Sequence, residues 1–186
     1  MSTLKVDTIQ GKTTAGTLTL PAGHVRQVVH SKRAHGDGQI SFATGNYSTF
    51  SDAPGMSVDI TPLNSSSKFL IRLAFRYGST ASSDNVVRIV RTVSSTATNL
   101  YPVENASTGG AGGLGNIYYS SGNSSAQYAH IAFNDTSFDY LDEPSTTASI
   151  NYKVQFSNAN GTLRIGSRAD AANDRDSSIT VMEIIG

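Results

Sequence analysis

A chain of 186 residues with 38% hydrophobic content fits one domain with a self-sufficient core and leaves little room for two. Its 14 basic and 14 acidic residues cancel, so nothing in the net charge draws it to phosphate backbones or anionic lipid, and generic nucleic-acid binding is not expected. There is no cysteine, hence no disulfide framework and no thiolate metal site, and no run approaches the ~18 apolar residues of a membrane span.

Taken from the start, Met1-Ser2-Thr3-Leu4-Lys5 lacks the basic-then-apolar layout of a secretory signal, so synthesis in a cytoplasm is expected. Residues 3–22 hold two short alternating pieces, Leu4, Val6 and Thr8, then Leu18 and Leu20, joined by a Gly-containing turn. A two-stranded element of that size is marginal alone in water. With Pro21-Ala22-Gly23 as a joint, residues 1–23 are expected to form an attachment segment and residues 24–186 the main domain. There, short period-two runs predict strands over residues 25–30, 39–43, 56–61, 68–77, 86–92, 127–133, 148–156, 162–166 and 178–185. The clearest are 68–77, with Phe69, Ile71, Leu73, Phe75 and Tyr77 on one face, and 148–156, with Ala148, Ile150, Tyr152, Val154 and Phe156. Turn clusters separate them at 35–38, 52–55, 121–123 and 158–161. Ser, Thr, Gly and Asn fill much of the remainder, and no helical apolar stripe lasts three turns. The expected class is all-β: an antiparallel sandwich, jelly-roll-like with the shape of trimeric tumour-necrosis-factor-like domains, or alternatively immunoglobulin-like.

The chemistry of catalysis finds little support. His24, His30, His35 and His130 show no metal-ligand spacing on a shared face. Asp170, Asn173, Asp174 and Asp176 make an oxygen-rich turn, but the central Gly and terminal Glu of a calcium loop are missing. Gly109 to Gly115 has no following Lys and helix, and reads as a spacer rather than a phosphate cradle. Asp139, Asp142 and Glu143 crowd one segment ahead of Pro144, which reads as a solvated bend and not as a separated carboxylate pair for glycoside hydrolysis. No nucleophile elbow or Ser/His/Asp set is present. No catalytic residue, cofactor or metal is therefore expected.

Two ends of the chain resemble a known group. Ser2 to Ile9 and Leu20-Pro21-Ala22-Gly23-His24-Val25-Arg26-Gln27-Val28-Val29 are similar to the start of marine phage and cyanophage structural or tail-fibre proteins. Tyr140 to Thr147, Tyr152 to Gln155 and Ser178 to Gly186 resemble the end of the same group, and Met56 to Pro62 with Ser65 to Ile71 its central strand pair. Residues 33–50 and 106–125 match nothing in it. The resemblance implies a virion component without catalytic residues, most simply a tail fibre or tail-associated adhesin, otherwise a head decoration or head fibre protein. A glycan depolymerase and a non-viral carbohydrate-binding module stand behind those. The closing strand has apolar residues on both faces, which together with the resemblance predicts a homotrimer with Ile179, Val181, Met182, Ile184 and Ile185 at the subunit interface. Leu4, Val6, Ile9, Leu18 and Leu20 are the expected docking residues toward other virion proteins. Tyr118 and Tyr119, in the stretch 109–125, are the candidate contacts to a host surface glycan or protein.

Overall fold

The computed structural model describes residues 22–34, 40–42, 49–79, 83–100, 115–119, 134–158, 161–167 and 176–185. Among them, alternation becomes strand wherever one face can be buried. The strands are β1 (Val25–Arg33), β2 (Ile40–Phe42), β3 (Ser51–Ile60), β4 (Lys68–Ser79), β5 (Ser83–Val93) and β6 (Thr96–Asn99). They continue with β7 (Gly115–Tyr119), β8 (Asn134–Asp142), β9 (Ile150–Asn158), β10 (Leu163–Ile165) and β11 (Ser177–Ile184).

The strands form two antiparallel sheets. In the first, β10 and β11 lie end to end along β4, β1 pairs β11, β2 pairs β10, and β8 takes the other side of β4. This sheet is therefore four ranks wide: β1 with β2, β10 with β11, β4, and β8. The second sheet runs β3, β9, β5, then β6 and β7 together as its fourth rank. Counting β1 with β2 and β10 with β11 as single ranks, successive ranks change sheet at every step except from β5 to the rank of β6 and β7. That is the order of an eight-rank jelly roll, the architecture of many virus and lectin domains. The immunoglobulin-like alternative is excluded by the same order, because it keeps its first two strands in one sheet.

The core lies between the sheets. Phe69, Ile71, Leu73, Phe75 and Tyr77 of β4 face Ile150, Tyr152, Val154 and Phe156 of β9 and Val87 and Ile89 of β5, all buried. Phe75 meets Phe156 edge-on at 5.1 Å, and Phe42 lies 5.4 Å from the same ring. Edge-on contacts of this kind add about 1 kcal/mol beyond area burial.

Several boundaries differ from the sequence expectation. The cluster Asp52-Ala53-Pro54-Gly55 reads as a turn but lies inside β3, where the register against β9 shifts between Asp52 and Ser57. The bulge lets an edge rank carry Pro54 without losing a ladder bond and gives Gly55 its φ of +77°. β6 follows β5 through Ser94 and Ser95, a hairpin that no Asn-Gly announces. The predicted solvated bend at 138–144 is instead the end of β8, with Phe138 and Tyr140 packed against the core. The predicted strand at 127–133 lies outside the described residues.

Candidate assembly surface

The outward face of the first sheet is fixed by register. In antiparallel pairs, residues directly opposite share a face. Since the odd-numbered positions of β4 from 69 to 77 point into the core, Lys68, Leu70, Arg72 and Ala74 point out. Val28 stands opposite Met182, Met182 opposite Leu70, and Leu70 opposite Leu141. One apolar row thus crosses all four ranks, from β1 to β8. Beside it, Val25 pairs with Ile184, which pairs with Lys68. Val28 is 56% exposed and Val25 and Leu141 48% each, while Met182, Ile184 and Leu70 are half-buried. Exposed apolar groups scattered singly need no explanation, whereas these lie together in one row.

Polar rows flank this one. His30, Thr180, Arg72 and Asp139 form the next, with His30 Nδ1 2.9 Å from Thr180 Oγ1. Arg72 grips Asp139 with two bonds, Nε to Oδ1 at 2.8 Å and Nη2 to Oδ2 at 3.0 Å. The Arg72 guanidinium holds the Asp139 carboxyl below its ordinary range, against a smaller opposing effect of burial. Lys68 meets Glu143 at 2.6 Å and Lys32 meets Asp176 at 3.0 Å. Lys32, Lys68 and Arg72 are each matched by a carboxylate, so these rows present apolar area framed by neutralised pairs. Pairs this exposed contribute little to stability. Their effect is to neutralise the charges that flank the apolar row.

Beneath this face, β11 alternates strictly. Ser177, Ile179, Val181 and Glu183 are buried, and Ser178, Thr180, Met182 and Ile184 lie half-buried on the outside. Ile179 and Val181 therefore belong to the chain's own core, which corrects their expected place at a subunit interface. Met182 and Ile184 are on the outer face. Ile185 follows the strand, and its N–H donates to the His24 carbonyl at 2.9 Å. Glu183 is fully buried, accepting from Gln27 Nε2 at 2.6 Å and from the Leu63 amide at 2.8 Å. Gln27 Nε2 also donates to the Thr61 carbonyl at 2.8 Å. The carboxylate pins residues 61–63 against β1 and β11, a role that the run of apolar letters around it hides.

The carboxylates of 138–144 are each engaged separately. Asp139 holds Arg72 and Glu143 holds Lys68 on the outer face. Asp142 is buried and accepts Arg91 Nη1 at 2.7 and 3.0 Å and the Tyr152 hydroxyl at 2.7 Å. Burial, followed by the bond to Asp142 and its charge, drives the Tyr152 hydroxyl far above the ordinary phenol range. Asp142 thus ties β8, the edge of the first sheet, to β5 and β9 of the second.

Tyr118 and Tyr119 belong to β7, where their backbones pair with Asp84 and Ser83 of β5. The stretch expected to be a loop is a strand at that point. Leu4, Val6, Ile9, Leu18 and Leu20 lie outside the described residues, as do His35, His130, Asp170, Asn173, Asp174 and the Gly109–Gly113 run. Asp176 is described and serves as the partner of Lys32. At the proposed joint, Gly23 takes a φ of +88° and its N–H donates to the Ile185 carbonyl at 2.9 Å, so the joint is tied to the end of β11. Among the described residues no group of three or more His, Asp or Glu side chains is placed to hold a metal. The sequence reading missed Val25, Val28, Leu70 and Leu141 as surface apolar residues. Alternation puts Leu70 on the face of Lys68 and Arg72, but only the pairing of four ranks puts it in a row with the others.

No protein-family profile and no curated protein matches the chain. Among solved structures it is similar to a protein of infectious bursal disease virus, Gx strain, with 9% identity and a TM-score of 0.38 over 98% of this chain and 43% of that one. It is similar also to a mutant VP2 protein of that virus in T=1 particles, with 12% identity and a TM-score of 0.42 over 97% and 41%. A VP2 subviral particle of infectious bursal disease virus gives 11% identity and a TM-score of 0.40 over 87% and 39%. The chain spans about two fifths of the length of these virus chains.

Proposed function

We propose that this chain is a non-enzymatic structural component of a phage particle, a tail fibre or tail-associated adhesin that works as a homotrimer. The observation that carries the reading is the apolar row Val28–Met182–Leu70–Leu141, which runs unbroken across the first sheet inside a frame of neutralised charges. Burying such a row gives a gross hydrophobic gain of about 25 cal/mol for each Å² removed from water, against which the lost freedom of the associating copies is set. A surface whose charges are already matched suits a copy of itself better than a charged partner. The resemblance to marine phage and cyanophage proteins supports the virion, with residues 1–23 docking on other virion proteins and the distal parts of the domain meeting the host.

Labelled antibody on intact particles, or a particle reconstruction, tests the location. Label at the tail tip or along a fibre is the expected result, and absence from purified particles contradicts the reading. Label spread over the head would assign the same assembling domain to head decoration instead. Deletion of residues 1–21 is expected to abolish incorporation into particles while leaving the domain folded.

A further inference from the structure

The opposite outer face, on the second sheet, carries an ordered polar patch that the assembly reading does not use. Asp52, Gln155 and Arg88 stand in one row across β3, β9 and β5. Arg88 Nε donates to Gln155 Oε1 at 2.7 Å, and its guanidinium carbon lies 3.8 Å from the centre of the Phe50 ring. Gln155 Nε2 in turn donates to Asp52 Oδ1, and Lys153 Nζ to Asp52 Oδ2 at 2.9 Å. The ring below and the amide at Nε fix the plane of the guanidinium.

What this leaves open is the far edge of the fork. Arg88 Nη1 and Nη2 meet no acceptor among the described residues. The buried side-chain atoms without a partner there are Ser67 Oγ, Arg164 Nε and Ser177 Oγ, so neither Nη is enclosed. Partial burial lowers the Arg88 pKa against the pull of Asp52, which means its charge is incompletely solvated. A planar fork held still, with its Nη edge open, can take two parallel bonds to a carboxylate.

The neighbours narrow the ligand. Lys153 keeps two N–H donors beyond the one given to Asp52, and Asp52 and Gln155 keep spare lone pairs, so hydroxyl groups can be met on both sides. Asp52 and Asp59 on the same face repel a polyanion such as nucleic acid. One negative charge surrounded by hydroxyls fits better. We infer that this patch binds a carboxylate-bearing sugar, with the carboxylate on the Nη edge of Arg88 and the hydroxyls on Lys153, Asp52 and Gln155. It lies on the sheet opposite the apolar row, so it stands whether or not the chain is a trimer.

The test is a calorimetric or NMR titration of the full chain with methyl glucuronoside, methyl glucoside and acetate. The glucuronoside is expected to bind at least tenfold more tightly than either control, and Arg88→Gln to erase that advantage. Arg88→Lys keeps the charge without the fork and should restore only part of it. Phe50→Leu lies outside the strands and removes only the supporting ring; it should weaken the glucuronoside at least threefold with the fold intact. Equal binding of glucuronoside and glucoside overturns the site. Acetate binding as tightly as the glucuronoside overturns the sugar, leaving a bare carboxylate site. Full glucuronoside affinity in Arg88→Gln, or in Arg88→Lys should the first variant fail to fold, removes the Arg88 fork as the anchor.

Discussion

Asp142 and Glu183 each show how a buried carboxylate is held within a largely apolar sandwich. Asp142 is met by a cation and a hydroxyl, Glu183 by an amide side chain and a backbone N–H. Removing the first leaves Arg91 without its counter-charge at a largely buried site, so Asp142→Ala is expected to cost about 3 kcal/mol. Tyr152→Phe removes one charge-assisted bond and should cost about 2 kcal/mol. Urea midpoints at unchanged slope check both, and a larger loss from Tyr152→Phe than from Asp142→Ala would contradict this ranking. Neither partner set was readable from the sequence. Gln27 and Leu63 lie 156 and 120 positions from Glu183, and nothing local to Val181-Met182-Glu183 announces them.

The exposed carboxylates give the pH dependence. Arg72 depresses Asp139 below its ordinary 3.8. At Asp52 burial acts upward, but the bonds from Gln155 and Lys153, with the charges of Lys153 and Arg88, outweigh it and leave the group lowered as well. A carboxyl lowered in the folded state contributes stability that is present above its unfolded value and lost as pH falls through the folded one. Stability should therefore hold from neutral pH down to about 4 and decline below it. Asp139→Asn and Asp52→Asn are each expected to flatten that acid limb in thermal melts, and an unchanged limb in both would contradict the assignment.

Among the elements, those with strict alternation were readable and those made by pairing were not. β4 and β9 appear where the period of two placed them, because their inward faces need only be apolar to be buried. β8 was hidden, since Phe138-Asp139-Tyr140-Leu141-Asp142 puts its two acids on opposite faces for opposite reasons, one exposed with Arg72 and one buried with Arg91. β3 was half-hidden behind a Pro-Gly pair that serves a bulge. The β5–β6 hairpin was hidden because Ser94 and Ser95 carry no turn signature, yet both hold positive φ, 47° and 69°. Two such central residues make the tight turn that favours Asn-Gly. Replacing Ser94-Ser95 by Asn-Gly should relieve about 1 kcal/mol of left-handed strain, seen as a higher urea midpoint with the same slope. A lower midpoint would mean that the serine side chains contribute more to the turn than their backbone costs.

For the molecule as a whole, composition and periodicity were enough for the sandwich, and the order of ranks was needed to make it a jelly roll. The candidate surface was only partly readable for the same reason: Met182 and Ile184 were singled out from one strand, but the row that Met182 completes belongs to four. The Gly23 to Ile185 bond bears on the other half of the account. A chain starting at Ala22 keeps that bond, so deleting residues 1–21 should leave the melting temperature nearly unchanged; a large drop would make the segment part of the domain's core.

Assembly through the outer face of the first sheet is tested most directly by light scattering coupled to gel filtration. The wild-type chain should give about three times 19.6 kDa at micromolar concentration. The double variant Val28→Glu/Leu141→Glu, which places charges at two exposed points of the row, should give a folded species near 19.6 kDa. A wild-type monomer, or a variant that keeps the full trimer mass, would contradict the account.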